Sequence, residues 1–232
     1  MTAAKEGEAY PAPPVMWHPG LPSSPPPRGE IHLWRCHLGR TPGDSALLAP
    51  DERSRLARLI RPEVRRRWLA ARTFLRRVLG ASLGVPPEAL GLSRQPGGKP
   101  FLPDSDLQFN LSHSGDWALL ALAWQLPLGV DIETIRPPRQ PLAIARRFFS
   151  PEATAALAQA PSEQQARIFH HHWTRLEALH KLGGGGLMAP PPEDARLLSF
   201  TPAPGCLGAL AWPGGGIPRP VIRGFDFVAP AE

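Results

Sequence analysis

The sequence predicts an α+β fold in which the same kinds of segment occur twice. Segments typical of strand, helix and sheet appear over residues 29–125 and again over residues 126–228. The strand segments alternate apolar and polar residues or are short apolar runs, whereas the helical segments repeat apolar residues every three or four positions. A chain of 232 residues is long enough to bury a sizeable core.

The first strand and helices are predicted to follow a proline-rich leader. Residues 1–28 are broken by prolines and lack the apolar centre of a secretory signal, so we expect them to be disordered and to bury nothing. Residues 31–36 are predicted to form the first strand. A helix is expected to begin at Asp51, and Pro62 should break it and serve as the first residue of a second helix.

The second helix is predicted to have an apolar face bordered by a basic strip. Arg65, Arg72 and Arg76 lie within about 40° of one another around the helix axis. A solvated arginine face and an anion-binding site explain this strip equally well. The apolar stripe recurs at spacings of four and three and consists of Val64, Trp68, Ala71, Leu75 and Val78.

Three strands are predicted next. Leu107, Phe109 and Leu111 alternate with polar neighbours, and residues 117–124 and 128–133 are apolar runs separated by a short turn. We expect the last two to pair as an antiparallel hairpin, which would bring the second strand's acids back towards His113.

The second half continues with helices and a terminal sheet. Ser150-Pro151-Glu152 is a typical helix start, with a side-chain cap and a proline at the first position. A longer helix is predicted from about Ser162 to Leu182, where four glycines stop it. Residues 198–200, 207–212 and 221–227 are expected to be strands of one terminal sheet.

Composition limits the possible partners and surroundings. The net charge of +6 and the pI of about 10.3 come almost wholly from arginine, because Lys5, Lys99 and Lys181 are the only lysines. This charge fits a polyanion such as nucleic acid, an acidic protein or a phosphorylated cofactor. No apolar run approaches the ~20 residues that span a bilayer, and Cys36 and Cys206 lack zinc or redox spacing. We therefore expect a soluble, cytoplasmic protein.

Three acidic residues are candidate metal ligands. Asp131 and Glu133 are two apart on a predicted strand, so both carboxylates point to the same face and could bind Mg²⁺. Taken alone, such a pair is more often two solvent-facing acids at a strand end. Glu177 lies on the long helix, one turn from Trp173 and one turn from Lys181. Alone, Glu177 and Lys181 would be an ordinary surface pair.

Among the basic residues, His113 is a candidate phosphate ligand, whereas Lys99, as a turn lysine, indicates no function by itself. His113 lies between Ser112 and Ser114 just after a strand, where an imidazole can donate to a phosphate oxygen. A buried or capping histidine is the alternative. Lys99 follows two glycines and precedes Pro100 in a predicted turn.

The order and spacing of these motifs resemble the 4'-phosphopantetheinyl transferase superfamily, in particular its surfactin-synthetase-activating (Sfp-type) branch. The matching segments are residues 98–100, 110–114, 129–133 and 173–181, within a resemblance that covers about residues 30–228. It implies a pseudo-twofold arrangement of two similar α/β halves, residues 29–125 and 126–232, with the active site in the cleft between them. It also implies Mg²⁺-dependent transfer of the 4'-phosphopantetheine arm of coenzyme A to a serine of an acyl or peptidyl carrier protein. Adenosine 3',5'-bisphosphate would be released.

The resemblance further implies a role for each candidate residue. Asp131, Glu133 and Glu177 would bind the metal, and Glu177 or a water on the metal would take the proton from the carrier serine. His113 and Lys181 would bind phosphate oxygens. Coenzyme A would also contact Ser112, Lys99 near its nucleotide end, and the helix arginines Arg65, Arg72 and Arg76.

The chain departs from the family pattern at two positions. Leu176 replaces the lysine that the family usually has directly before the helix glutamate, and Gly185 stands where a lysine is common. Arg175 could supply the missing charge only if its side chain curled back. We expect a slow transferase that is a monomer, binds an acidic apo carrier protein, and binds neither nucleic acid nor membrane. The alternatives are a silent relative that only binds coenzyme A or carrier protein, and an arginine-rich nucleic-acid-binding module.

Overall fold

The computed structural model describes residues 15–95, 97–184 and 192–229, which form five helices and ten strands. The α+β class predicted from the sequence is confirmed. The elements in chain order are β1 (Trp17–Gly20), β2 (Glu30–His37), α1 (Pro50–Ala57), α2 (Pro62–Leu83), β3 (Ser93–Arg94), β4 (Pro100–Phe101), β5 (Leu107–Ser114), β6 (Trp117–Trp124), β7 (Gly129–Thr134), α3 (Pro141–Phe148), α4 (Pro151–Gln159), α5 (Ser162–Gly183), β8 (Ala195–Phe200), β9 (Cys206–Pro213) and β10 (Val221–Phe227).

The strands form two main sheets. The larger has the order β1-β10-β2-β6-β5, in which β1, β10 and β2 are parallel while β2, β6 and β5 are antiparallel. The smaller is antiparallel with the order β7-β9-β8. β3 and β4 form a separate two-stranded ribbon. β5 and β7 are therefore edge strands of their respective sheets.

The layers follow from which residues are buried together. Phe74 and Val78 of α2 share a buried cluster with Trp34 and Leu120 on one face of the larger sheet. Residues of the opposite face form a second cluster with the smaller sheet, including Ile31, Leu119, Val130 and Trp212. Ala178 and Leu182 of α5 pack against Ala209 and Ala211 on the other side of the smaller sheet. The order of layers is helix, sheet, sheet, helix.

Several local predictions are confirmed. Pro62 is in the first turn of α2, and Ser150 caps α4 by accepting a hydrogen bond from the Ala153 backbone N–H. Gly184 ends α5 in a left-handed conformation with φ of 72°. The predicted stripe on α2 is buried from Trp68 onward, whereas Val64 in the first turn is exposed. None of the helices in the described part of the chain is both long and apolar enough to cross a membrane.

The predicted hairpin between residues 117–124 and 128–133 is wrong. Both edges of β6 are already occupied, by β2 and β5, so β7 cannot pair with it. Gln125, with a positive φ of 56°, begins the turn that carries the chain into the smaller sheet, where β7 pairs with β9.

Two predictions about the chain termini are also corrected. β10 does not join β8 and β9 but lies between β1 and β2, because Phe227 and its neighbour Phe225 pack into the cluster that faces α2. The leader does not lack structure throughout: Trp17 in β1 pairs with β10 and lies 4.5 Å from the Arg35 guanidinium. Residues 1–14 lie outside the described residues.

Candidate active site

The candidate site forms where the edge strands β5 and β7 meet. These strands do not share a backbone ladder and are instead joined by side chains of β5 that bond to the backbone of β7. Asn110 Oδ1 accepts from the Val130 N–H at 2.8 Å, and Ser114 Oγ accepts from the Thr134 N–H at 3.1 Å. Because side chains alternate along a strand, these bonds place Ser112 opposite the acids of β7.

Ser112, Asp131 and Lys181 form a hydrogen-bonded triad at this junction. Ser112 Oγ donates to Asp131 Oδ1 at 2.7 Å. Lys181 Nζ, from the last turn of α5, donates to the same oxygen at 2.6 Å and to Ser112 Oγ at 3.0 Å. The Asp131 side chain is only 4% exposed, whereas that of Lys181 is 28% exposed. Lys181 can therefore face both the buried acid and a solvent-borne anion.

Glu133 and Glu177 are close enough to Asp131 for its negative charge to affect their pKa values. Glu133 Oε2 accepts from Ser114 Oγ at 2.6 Å, and burial, together with the charge of Asp131, raises the pKa of Glu133. Burial likewise raises the pKa of Glu177; the charges of Asp131 and Glu133 add to this effect, and Lys181 opposes it. Three carboxylates contributed by β7 and α5 thus repel one another in a half-buried site.

These three acids fit a divalent cation by their chemistry. Over the described ranges, no three His, Cys, Asp or Glu side chains stand together in a group that could hold a metal ion. Asp131 Oδ2 is nevertheless buried and has no hydrogen-bond partner among the described residues. A buried carboxylate oxygen without a donor is costly, and a cation would satisfy it while relieving the repulsion among the acids.

His113 lies beside this group at the end of β5, with its side chain exposed. Nearby protein atoms remove part of the water around the ring, which disfavours the charged form and lowers the pKa of His113. The positive charges of Lys181, Arg72 and Arg55 lower this pKa further. The same charges that disfavour the imidazolium would attract a phosphate group. The ring of His113 is therefore within reach of the charges of Lys181 and Arg72.

A pocket of about 240 Å³ opens next to the triad. Its walls are the loop of residues 97–100, the middle of β5 and the last turns of α5, with Glu177 and Lys181 on the α5 side. Lys99 also lines this pocket, and its Nζ donates to two backbone carbonyls, Leu128 O at 2.9 Å and Lys181 O at 2.8 Å. The structure thus brings Lys99, Glu177 and Lys181 together.

The structure separates the three arginines of the predicted basic strip. The Arg72 side chain is 12% exposed, and its guanidinium lies 5.4 Å from the Trp68 ring and 3.9 Å from Glu52 Oε1. Arg65 donates to the Leu56 carbonyl at 2.9 Å. The expected role of Arg76 does not fit, because its side chain is fully buried and donates to Glu52 Oε2 at 2.7 Å and to the Pro87 and Leu90 carbonyls. Arg76 therefore has no access to a ligand from solvent.

Two arginines that the sequence analysis did not select lie near Arg72. The charges of Arg94, on β3, and Arg55, on α1, both act on the Arg72 guanidinium, and the Arg55 guanidinium is 6.0 Å from the Trp68 ring. Arg94 could have been found from its position five residues before Lys99, in the same ribbon. Arg55 gave no comparable signal, because its approach to Arg72 depends on how α1 packs on α2.

Arg175 and Leu176 occupy different surroundings on α5. Arg175 Nη1 donates to Ser199 Oγ on β8 at 3.1 Å, so the guanidinium extends towards the smaller sheet. Leu176 is half-buried. Gly185, the second departure from the family pattern, lies outside the described residues.

Comparisons with known proteins identify the family of the chain. One family model, described as the 4'-phosphopantetheinyl transferase superfamily, matches residues 127–214, and a second, the N-terminal part of a 4'-phosphopantetheinyl transferase, matches residues 34–125. The 4'-phosphopantetheinyl transferase HetI of Nostoc sp. strain PCC 7120 is 36% identical over 224 residues, which cover 86% of this chain and 94% of that relative. The enzyme AcpT of Salmonella typhimurium is 34% identical over 72% of this chain and 83% of its own length. The enzyme Sfp of Bacillus subtilis strain 168 is 34% identical over 62% of this chain and 64% of its own length.

Proposed function

The chain belongs to the Sfp-type branch of the 4'-phosphopantetheinyl transferase superfamily, and on this premise we propose that it transfers the phosphopantetheine arm of coenzyme A to a serine of an apo carrier protein. The observation that carries the proposal is the buried Asp131 carboxylate, bonded through Oδ1 to Lys181 and without a hydrogen-bond partner at Oδ2 among the described residues, next to a pocket that Glu177 and Lys181 line. Carboxylates for a metal and a cation for phosphate are the two requirements of phosphoryl transfer.

In the proposed reaction, the serine oxygen attacks the phosphorus that carries the pantetheine arm. The bond from that phosphorus to the bridging oxygen of the diphosphate breaks, and adenosine 3',5'-bisphosphate leaves. Glu177 accepts the serine proton, a role supported by its position on the wall of the pocket beside Lys181. Lys181 and His113 bind phosphate oxygens, and Ser112 holds Asp131 in place.

Asp131, Glu133 and Glu177 would hold Mg²⁺. When bound, this ion would neutralise negative charge on the diphosphate as the bond breaks. Arg72 would bind the phosphate at the nucleotide end, since its side chain is not fully buried, unlike that of Arg76, and its charge acts on His113. Arg55 and Arg94 would add positive charge beside Arg72.

We also propose that the site lies in the cleft between two halves, residues 29–125 and 126–232. Support comes from the elements that contribute to it: β5 and the loop of residues 97–100 precede residue 125, while β7 and α5 follow it. The two family models divide the chain at the same place, ending at residue 125 and beginning at residue 127.

The carrier protein is proposed to be acidic. Several exposed arginines follow β7, and support for their role comes from Arg136, whose charge acts on Glu133. Arg139, Arg146 and Arg147 are exposed on the same stretch of chain. Complementary charge would speed association and make it sensitive to salt. We propose that the enzyme acts as a cytoplasmic monomer, a state that its two buried free cysteines, Cys36 and Cys206, are compatible with.

The test is incubation with coenzyme A, Mg²⁺ and a panel of apo carrier proteins, followed by mass spectrometry. One carrier serine should gain the mass of a phosphopantetheine group, and Asp131→Asn should prevent the gain. A folded wild-type protein that binds coenzyme A but modifies none of the carriers would favour the silent relative. Tight, salt-sensitive binding of random oligonucleotides without any transfer would favour a nucleic-acid-binding module.

A further inference from the structure

The side chain of Lys99 is engaged by the protein itself. Its ammonium group donates to the carbonyl of Leu128, just before β7, and to the carbonyl of Lys181, in the last turn of α5. A lysine has three donors, so two of the three are used within the protein. A residue whose role was to hold a phosphate would leave more of its donors free.

The carbonyl of Lys181 needs a partner from outside its own helix. The last four carbonyls of a helix have no donor within the helix, and α5 ends at Gly183, so Lys181 O is one of these four. The C-terminal end of a helix also carries partial negative charge, which a cation stabilises. Lys99 therefore supplies both a hydrogen bond and a complementary charge at the end of α5.

The same turn of α5 lies in close backbone contact with β7 at Gly129. A Cβ atom placed on Gly129 would lie 2.0 Å from the Ala178 carbonyl oxygen and 2.4 Å from the Leu182 nitrogen. Gly129 thus sets the distance between α5 and β7, and Lys99 ties the turn to the chain just before that glycine. Together they define where Lys181 projects.

The position of Lys181 matters for the hydrogen-bonded triad of Ser112, Asp131 and Lys181. Lys181 bonds to Lys99 through its backbone carbonyl and to Asp131 and Ser112 through its side chain. Glu177 lies one helical turn earlier and lines the same pocket. A displacement of the last turn would move Lys181 relative to the acids of β7.

We propose that Lys99 is a positioning residue, which holds the last turn of α5 in register with β7 and acts on the reaction through Lys181, rather than a ligand of the coenzyme A phosphates. This inference rests on the proposed function. It differs from the role that the family resemblance implied, because the contacts of the ammonium group are with backbone carbonyls.

The deciding experiment compares Lys99→Met, which keeps the length of the side chain but removes its donors, with Lys99→Arg, which keeps the charge. The Kd values of coenzyme A and of adenosine 3',5'-bisphosphate are measured by calorimetry, and kcat is measured with a modified carrier. In Lys99→Met, kcat should fall by about 10- to 100-fold, the range expected for a small misplacement of catalytic groups, while both Kd values stay within about twofold. Lys99→Arg should recover part of kcat. A Kd increase of tenfold or more with kcat retained would overturn the proposal.

A double-mutant cycle tests whether the effect passes through Lys181. If it does, Lys99→Met should slow the Lys181→Met enzyme by no more than about threefold, because the group being positioned is already gone. Multiplicative losses would contradict coupling through Lys181. If Lys99→Met fails to fold, the split between kcat and Kd in Lys99→Arg decides the same question.

Amide hydrogen exchange separates this inference from the proposed function. In Lys99→Met the backbone amides of residues 182–184 should exchange faster than in the wild type, whether or not any carrier is modified. Unchanged protection there would overturn the positioning role. If the wild-type protein modified none of the carriers, that result would instead count against the proposed function.

Discussion

Replacement of Gly129 by alanine should damage both stability and catalysis. The added Cβ would lie 2.0 Å from the Ala178 carbonyl oxygen and 2.4 Å from the Leu182 nitrogen, whereas contacts under 3.0 Å are essentially never tolerated. Both opposing atoms belong to the α5 backbone, so no side chain can rotate away. α5 must therefore move from β7 by about 1 Å.

The size of both effects follows from this geometry. Overpacking of a tight contact costs about 1–3 kcal/mol, which for a domain of this size lowers Tm by about 2–12 °C. Lys181 Nζ is 2.6 Å from Asp131 Oδ1 and projects from the turn that must move. A shift of about 1 Å in that turn should reduce kcat by about 100-fold.

The assay is urea denaturation combined with phosphopantetheine transfer, and Gly91→Ala is the matched control. A Cβ on Gly91 meets nothing within 4 Å, so this variant changes the same chemical group without a clash. It should retain wild-type stability and turnover. If Gly129→Ala behaved like Gly91→Ala in both measurements, the argument that Gly129 sets the position of α5 would be refuted.

Further predictions concern pH, charge and the metal. Burial lowers the pKa of Lys99 from 10.5 to about 8, so kcat should fall as pH rises through about 8, and in Lys99→Arg this fall should move to higher pH. Because the folded protein loses that proton before the unfolded chain does, this group makes the free energy of unfolding rise between about pH 8 and 10.5; Lys99→Met should flatten this slope in urea titrations. Leu176→Lys should raise turnover by up to about 100-fold, since a cation near the diphosphate stabilises developing charge; unchanged kcat would show that the position is not coupled to the phosphates. Arg72→Ala should raise the KM for coenzyme A by about tenfold with little change in kcat, because a ground-state phosphate contact is uniform binding. Asp131→Asn should lower turnover by about 100-fold or more and abolish any increase in Tm on adding Mg²⁺; a retained Mg²⁺ response would place the metal elsewhere.

Local sequence patterns were sufficient for α1, α2, α4 and α5, although not for α3, and they also selected most of the candidate site residues. Pro62 and Ser150 mark helix starts because a missing N–H and a capping hydroxyl act within one turn. Asp131 and Glu133 share a face of β7 because side chains alternate along any strand. The i,i+4 spacing likewise puts Glu177 and Lys181 on one edge of α5.

Tertiary contacts were needed to decide which strand edges meet and which cations remain available. The chain leaves β6 through a turn that resembles a hairpin turn, yet β7 pairs with β9, some 80 residues further along. Arg72 and Arg76 are alike in sequence, and only the packing of Glu52 and of the carbonyls after α2 buries one and leaves the other partly exposed. Lys99 appears in the sequence as a free turn lysine and is instead bonded to the end of α5. Strand pairing, the burial of a side chain and a hydrogen bond to a distant carbonyl all depend on residues that are far apart in the chain. A local sequence pattern does not show that such residues lie close together.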